Sequence, residues 1–141
     1  MSVAVAYASA DIMSDLRRTN APLVGRCFEN CVIAVLGLPA ELRLQYVLGF
    51  MTPPGHKSEA HAWLLQEGLS GPVYLDPTLQ DGSKLWQIRS REFIYDERFR
   101  MTKTELKAWF RTKYPDRKFD DIGVPEGSVR LPRINAAGDL E

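Results

Sequence analysis

Net charge is what this sequence most plainly lacks: 18 Lys+Arg balance 18 Asp+Glu, giving zero at pH 7. Nucleic-acid and membrane-surface binding usually require a basic excess, so neither partner is expected. Long apolar runs are also missing, and none approaches the ~20 residues that cross a bilayer. The apolar opening Met1-Ser-Val-Ala-Val-Ala-Tyr-Ala-Ser-Ala10 has no basic flank and is too short and interrupted for a secretory signal. A cytoplasmic location is the expectation. Cysteine and histidine are scarce, with two of each. Cys27 and Cys31 share a helix face at their four-residue spacing but suit a disulfide poorly, so both are expected as thiols. A chain of 141 residues, 45% hydrophobic and 26% charged, can bury a core without disulfide or metal. Neither repeat nor linker is visible, and one domain over 1–141 is expected, with its core at about 20–115.

What is present divides into helical and extended segments. Ile12, Met13 and Leu16 lie at helical spacing behind Ser9, a candidate N-cap, with Asp11 in the first turn. A loop follows over 20–25. From Arg26 a second helix is predicted that is apolar nearly all round, through Cys27, Phe28, Cys31 and the run Val32 to Leu36, and such a helix is a buried one. Gly37 and Pro39 stop it. The period then shortens. Leu42 to Phe50 reads as a strand, His61 to Leu65 as a second and Val73 to Leu75 as a third, with turn-rich segments at 52–59 and 67–71. Phe93 to Tyr95 is a weaker strand candidate. Thr102-x-x-Glu105 is a capping box opening a helix to about Tyr114, ended by Pro115. Residues 119–141, rich in Gly, Pro and Asp, are expected to be irregular or partly disordered. Basic residues between Arg98 and Lys118 alternate with acids and aromatics and read as the exposed face of a helix. The fold class is α+β, a buried N-terminal helix carrying the cysteine on an antiparallel sheet.

Cys27 follows Gly25-Arg26 at the start of the buried helix. Orphan N–H groups and the positive dipole end favour a thiolate there, and Arg26 adds a cation. Taken alone, a free cysteine is more often a small buried hydrophobe. His61 opens one strand in His-Ala-Trp, and Asp76 closes the next in Leu-Asp-Pro-Thr. If those strands are antiparallel neighbours, the imidazole and the carboxylate meet at one sheet edge. The carboxylate then sets the tautomer while the second ring nitrogen serves the thiol. Trp63 alternates to the same side as His61 and is a candidate site wall. Asn20, the nearest upstream amide, Asn30, three residues past the cysteine, and the backbone N–H of Cys27 are candidate oxyanion donors.

The order Cys27, His61, Asp76, with His-Ala-Trp on one strand and Asp-Pro-Thr after the next, resembles the transglutaminase-like branch of the papain-like thiol enzyme superfamily. The strand Tyr46-Val-Leu-Gly-Phe50 is similar to that family's glycine-containing strand. Over residues 23–79 the spacings (61 − 27 = 34 and 76 − 61 = 15) suit its compact members. The motif Cys27-Phe-Glu-Asn30 is also similar to that of small phage and bacterial proteins. The resemblance implies a papain-like/transglutaminase-like core and a Cys-His-Asp acyl-transfer enzyme (peptidase, amidase, deamidase or transglutaminase) acting on a protein or peptide without cofactor or metal. The sequence departs from the family in having Phe28 beside the nucleophile and no upstream glutamine. Two alternatives stand beside it. One is an inactive binding or inhibitory protein with the same fold. The other is a small domain in which Cys27, Cys31, His56 and His61 hold zinc.

Overall fold

The computed structural model describes residues 2–19 and 25–141, and the architecture is α+β: six strands in one mostly antiparallel sheet, with five α-helices. The helices are α1 (Ala10–Arg18), α2 (Cys27–Gly37), α3 (Pro77–Gly82), α4 (Lys84–Arg89) and α5 (Lys103–Lys113). The strands are β1 (Ser2–Val3), β2 (Val5–Ala6), β3 (Leu44–Thr52), β4 (Glu59–Gly68), β5 (Gly71–Leu75) and β6 (Ile94–Met101). Helix starts follow their sequence signals. Ser9 Oγ accepts from Ile12 N, and the capping box at Thr102 and Glu105 is complete, each side chain bonding the other's backbone N–H. At the other end of α2, the Leu38 N–H returns to Ala34 O before Pro39 turns the chain away.

Helix α2 is the hub. Cys27, Asn30, Cys31, Val32, Ala34, Val35 and Leu36 are all buried, and the helix packs on β3 and β4 with contacts to α1, α3 and α5. Each fully buried Leu or Val of this kind stabilises by about 1.5–3 kcal/mol. The strands serve two cores because alternate side chains face opposite sides. Tyr46, Leu48, Ala62 and Leu64 join α2 in one core, whereas Val47, Met51, Trp63, Leu65, Trp86, Phe93 and Tyr95 form the other.

The sheet order is β1-β6-β3-β4-β5-β2, yet β1 and β2 are separated by Ala4 alone. One residue advances the chain by under 4 Å, so a single N-terminal segment borders both edges and the sheet curls closed. Contacts across the seam agree: Tyr74 on β5 donates to Glu97 Oε1 on β6 at 2.5 Å, and Arg100 Nη2 reaches Tyr74 Oη at 3.0 Å. Both strands of the β4–β5 pair extend beyond their predicted limits. They meet at Gly68 and Gly71, so the connection is a two-residue hairpin loop rather than the longer one read from 67–71.

Residues 119–141 contain neither a helix nor a strand of the main sheet, only the bridges Phe119 with Pro125 and Ile134 with Leu140. They are nonetheless packed against the core. Ile134 is buried against the α2 core, Tyr46 Oη donates to Pro132 O at 2.6 Å, and the Arg133 guanidinium lies 4.9 Å over the Phe28 ring. Local polar groups stand in for regular structure: Asp120 Oδ1 alone accepts from the N–H groups of Ile122, Gly123 and Val124.

Gly49 is the tightest point in the sheet. It pairs with His61 on one side and with Glu97 on the other, and a bulge separates it from Leu48 in the β6 register. A Cβ at Gly49 would lie 2.1 Å from Asp96 O and 2.6 Å from Trp63 Cη2. One of these is backbone and the other a core indole, so neither can yield cheaply. Gly49→Ala is expected to lower stability by about 3 kcal/mol or more in urea unfolding. Gly68→Ala, where the nearest such atom is 3.4 Å away, should stay within about 1 kcal/mol.

Candidate active site

Three elements converge at the start of α2. Cys27 is its first residue, His61 is the third residue of β4, and Asp76 follows the end of β5 as the N-cap of α3. The antiparallel β4–β5 ladder brings the last two together, with Leu64 opposite Leu75. His61 Nε2 lies 2.7 Å from Asp76 Oδ2, and Cys27 is close enough to act on the imidazole electrostatically. A carboxylate only accepts, so Nε2 carries the proton and Nδ1 is left for the thiol. Exposure falls from 9% at Cys27 to 4% at His61 and 0% at Asp76. Cys27 is therefore the residue of the three nearest the surface, with the histidine behind it and the carboxylate deepest.

Asp76 uses both of its oxygens. Oδ1 caps α3 by accepting from Leu79 N at 3.2 Å, while Oδ2 takes His61 and also the Tyr95 hydroxyl at 2.7 Å. A fully buried carboxylate needs such partners, because an unpaired one would carry a large desolvation cost. Pro77 fits behind it as the first residue of α3, where its missing N–H costs nothing. Tyr95 in turn accepts from Trp86 Nε1 at 2.9 Å. Sequence reading missed both Tyr95 and Trp86. Tyr95 lies in a strand segment whose register the sequence leaves open, and Trp86 sits in the short helix α4, for which no periodicity stands out.

Electrostatics follow from this packing. Burial disfavours the His61 imidazolium, but the charge and hydrogen bond of Asp76, together with Cys27, outweigh it and push the pKa up to about 10. Burial, reinforced by the Asp76 charge, holds Tyr95 well above the usual phenol range, so it remains a donor. Cys31, one helical turn past Cys27, is fully buried. Desolvation, with the charges of Cys27 and Asp76 adding to it, raises its thiol pKa well above normal. Such a thiol is inert.

The remaining candidates separate. Asn30 is fully buried and its Nδ2 donates to Thr78 Oγ1 at 2.8 Å, tying α2 to α3 directly behind Asp76. Trp63 is also fully buried, its ring stacked 6.1 Å from that of His61 and edge-on to Tyr95 at 5.0 Å, so it backs the histidine from the interior. Asn20 lies outside the described residues. Arg26 was expected as a cation beside the thiol, but it forms an exposed ion pair with Glu29 at 2.6 Å, where solvent screens it. The zinc alternative fails geometrically: no three His, Cys, Asp or Glu side chains among the described residues group as metal ligands. His61 Nε2 is committed to Asp76, Cys31 lies in the apolar core, and His56 is exposed in the loop at 53–58. No family model, curated protein or solved structure matches this chain.

The raised His61 pKa has a definite consequence for pH. A group whose folded pKa exceeds its unfolded value of 6.5 stabilises fully below pH 6.5, and loses that contribution as pH rises through about 10. Asp76→Asn removes the charge that chiefly holds the imidazolium, leaving burial opposed only by the smaller contribution of Cys27. His61 should then titrate near or below pH ~6.5, as read from its ring signals by NMR, and the alkaline loss of stability should shrink. A His61 titration unchanged by Asp76→Asn would contradict the assigned partner.

Proposed function

We propose that this protein is a cysteine-dependent acyl-transfer enzyme acting on an amide bond, with Cys27 as nucleophile, His61 as acid and base, and Asp76 holding the imidazole. The observation that carries the reading is the buried His61–Asp76 pair at 2.7 Å, brought by β4 and the end of β5 to the start of α2, where Cys27 interacts with the imidazole. A purely structural histidine would need one partner. This one has an acceptor fixed on Nε2 and a thiol as its other partner, the relation by which a base activates a nucleophile. The likeness to transglutaminase-like thiol enzymes implies the same assignment.

In the proposed reaction the Cys27 thiol passes its proton to His61 Nδ1 and its sulfur attacks the amide carbon, forming a C–S bond and a tetrahedral oxyanion. His61 gives its Nδ1 proton to the nitrogen as the C–N bond breaks, and the amine leaves. Water or a second amine then attacks the thioester. His61 takes the proton from the attacking group, the C–S bond breaks, and His61 returns the proton to the sulfur to restore the thiol. The backbone N–H of Cys27, among the orphan donors of the first helical turn, is the oxyanion donor best placed by the chain itself. Asn30 serves instead as a brace, its amide nitrogen bonded to Thr78. A protein or peptide amide is the proposed substrate class.

Alkylation separates this reading from an inert fold. Iodoacetamide near neutral pH should modify Cys27 and leave Cys31 untouched, as mapped by peptide mass spectrometry. His61→Ala should slow the reaction at Cys27 by about a hundredfold, the lower range for loss of a positioned base. Equal modification of both cysteines, or a rate indifferent to His61→Ala, would overturn the proposal.

A further inference from the structure

We propose that Tyr95 is a positioning residue of this site, acting through Asp76 and itself aimed by Trp86. The inference rests on the acyl-transfer reading above and extends it to two residues outside the triad. An indole N–H can only donate and a carboxylate can only accept. The chain Trp86 Nε1 to Tyr95 Oη at 2.9 Å, then Tyr95 Oη to Asp76 Oδ2 at 2.7 Å, therefore runs in one direction only. Trp86 occupies a lone pair of the Tyr95 oxygen and turns its hydroxyl proton onto Asp76. The same Oδ2 receives His61 Nε2, so tyrosine and imidazole share one oxygen.

That sharing restricts the carboxylate. Leu79 N holds Oδ1 at 3.2 Å, a longer bond, and without Tyr95 the Oδ2 side would be steered by His61 alone. The tyrosine reaches it from a distant strand. β3 lies between β4 and β6, and strands two apart in a flat sheet are separated by roughly 9–10 Å. The His61 and Tyr95 rings nevertheless lie 6.2 Å apart, because the sheet is closed and side chains from the two strands meet inside it. Gly49, opposite His61, leaves that space open. All four residues are nearly inaccessible: Trp86 0%, Tyr95 1%, Asp76 0% and His61 4% exposed. In such surroundings a hydrogen bond to a charged group is at its strongest, and its loss is felt by the next member of the chain.

Tyr95→Phe keeps the ring that packs on Trp63 and removes only the hydroxyl, which makes it the informative variant. In the full-length chain it should slow iodoacetamide modification of Cys27 near neutral pH by about tenfold, in keeping with the loss of one hydrogen bond to a charged group. It should also lower the His61 titration midpoint measured by NMR. Trp86→Phe should act in the same direction and more weakly. Because the tyrosine works through Asp76, adding Tyr95→Phe to Asp76→Asn should change neither quantity further. A folded Tyr95→Phe with wild-type modification rate and wild-type His61 titration overturns the role, as does an undiminished effect in the Asp76→Asn background. Should Tyr95→Phe not fold, Trp86→Phe is judged by the same two readouts. Modification of the wild type that ignores His61 would remove the acyl-transfer reading and this role with it. His61-dependent modification that Tyr95→Phe leaves unchanged removes the role alone.

Discussion

The 2.7 Å bond between His61 and Asp76 is the constraint around which the rest of the structure is arranged. A carboxylate at 0% exposure is tolerable only if every lone pair that faces the interior has a donor. Meeting that demand recruits β4 for the histidine, β6 for the tyrosine, α4 for the tryptophan that orients it, and the α3 backbone for the remaining oxygen. Asn30 adds α2 through Thr78. Side chains from β4 and β6 and a backbone N–H of α3 thus meet at a single buried anion. Removing any one donor leaves a charge without its full complement, which is more costly than losing an exposed ion pair such as Arg26 with Glu29.

Sheet closure makes this convergence possible. An open sheet would keep β4 and β6 apart, with β3 in between. The N-terminal segment borders both edges, so the strands curve, and the inner core of Val47, Trp63, Leu65, Trp86 and Tyr95 becomes the floor of the site. Gly49 and the adjoining bulge provide the bend where His61, Trp63 and Asp96 crowd together. On the opposite face, α2 lies across the same strands and presents Cys27 at its first turn, where backbone N–H groups have no helical partners. The proposed site therefore sits at the junction of the two cores. This junction lets the thiol keep some surface access while its histidine and carboxylate are enclosed.

Much of this was legible in the residues themselves, and unevenly so. Strong local signals survived intact: Ser9 and Thr102 cap the helices they were expected to cap, and the all-round apolar run from Cys27 is the buried helix. His61 and Asp76 could be paired because two adjacent strands joined by a short turn leave few alternatives for the register. Tyr95 could not be assigned in this way. Its contact with Asp76 depends on closure of the sheet, and closure depends on a five-residue N-terminal segment whose own pattern (Ser2 to Ala6) is too short to read. The tail shows a different limit. Gly, Pro and Asp mark the absence of regular structure, but they say nothing about packing, and a single Ile134 with the Tyr46–Pro132 bond is enough to seat it. Arg26 illustrates the limit of proximity in sequence, since its charge turns to Glu29 one turn along the helix and not to the thiol beside it.

Everything proposed for this site requires that Cys27 become acylated with the help of His61. Incubation with p-nitrophenyl acetate, followed by peptide mass spectrometry, measures this directly. The acetyl group should map to Cys27, be released by hydroxylamine as a thioester is, and form far more slowly in His61→Ala. Acetylation confined to lysines or Cys31, or acetylation of Cys27 at the same rate with and without His61, would contradict it.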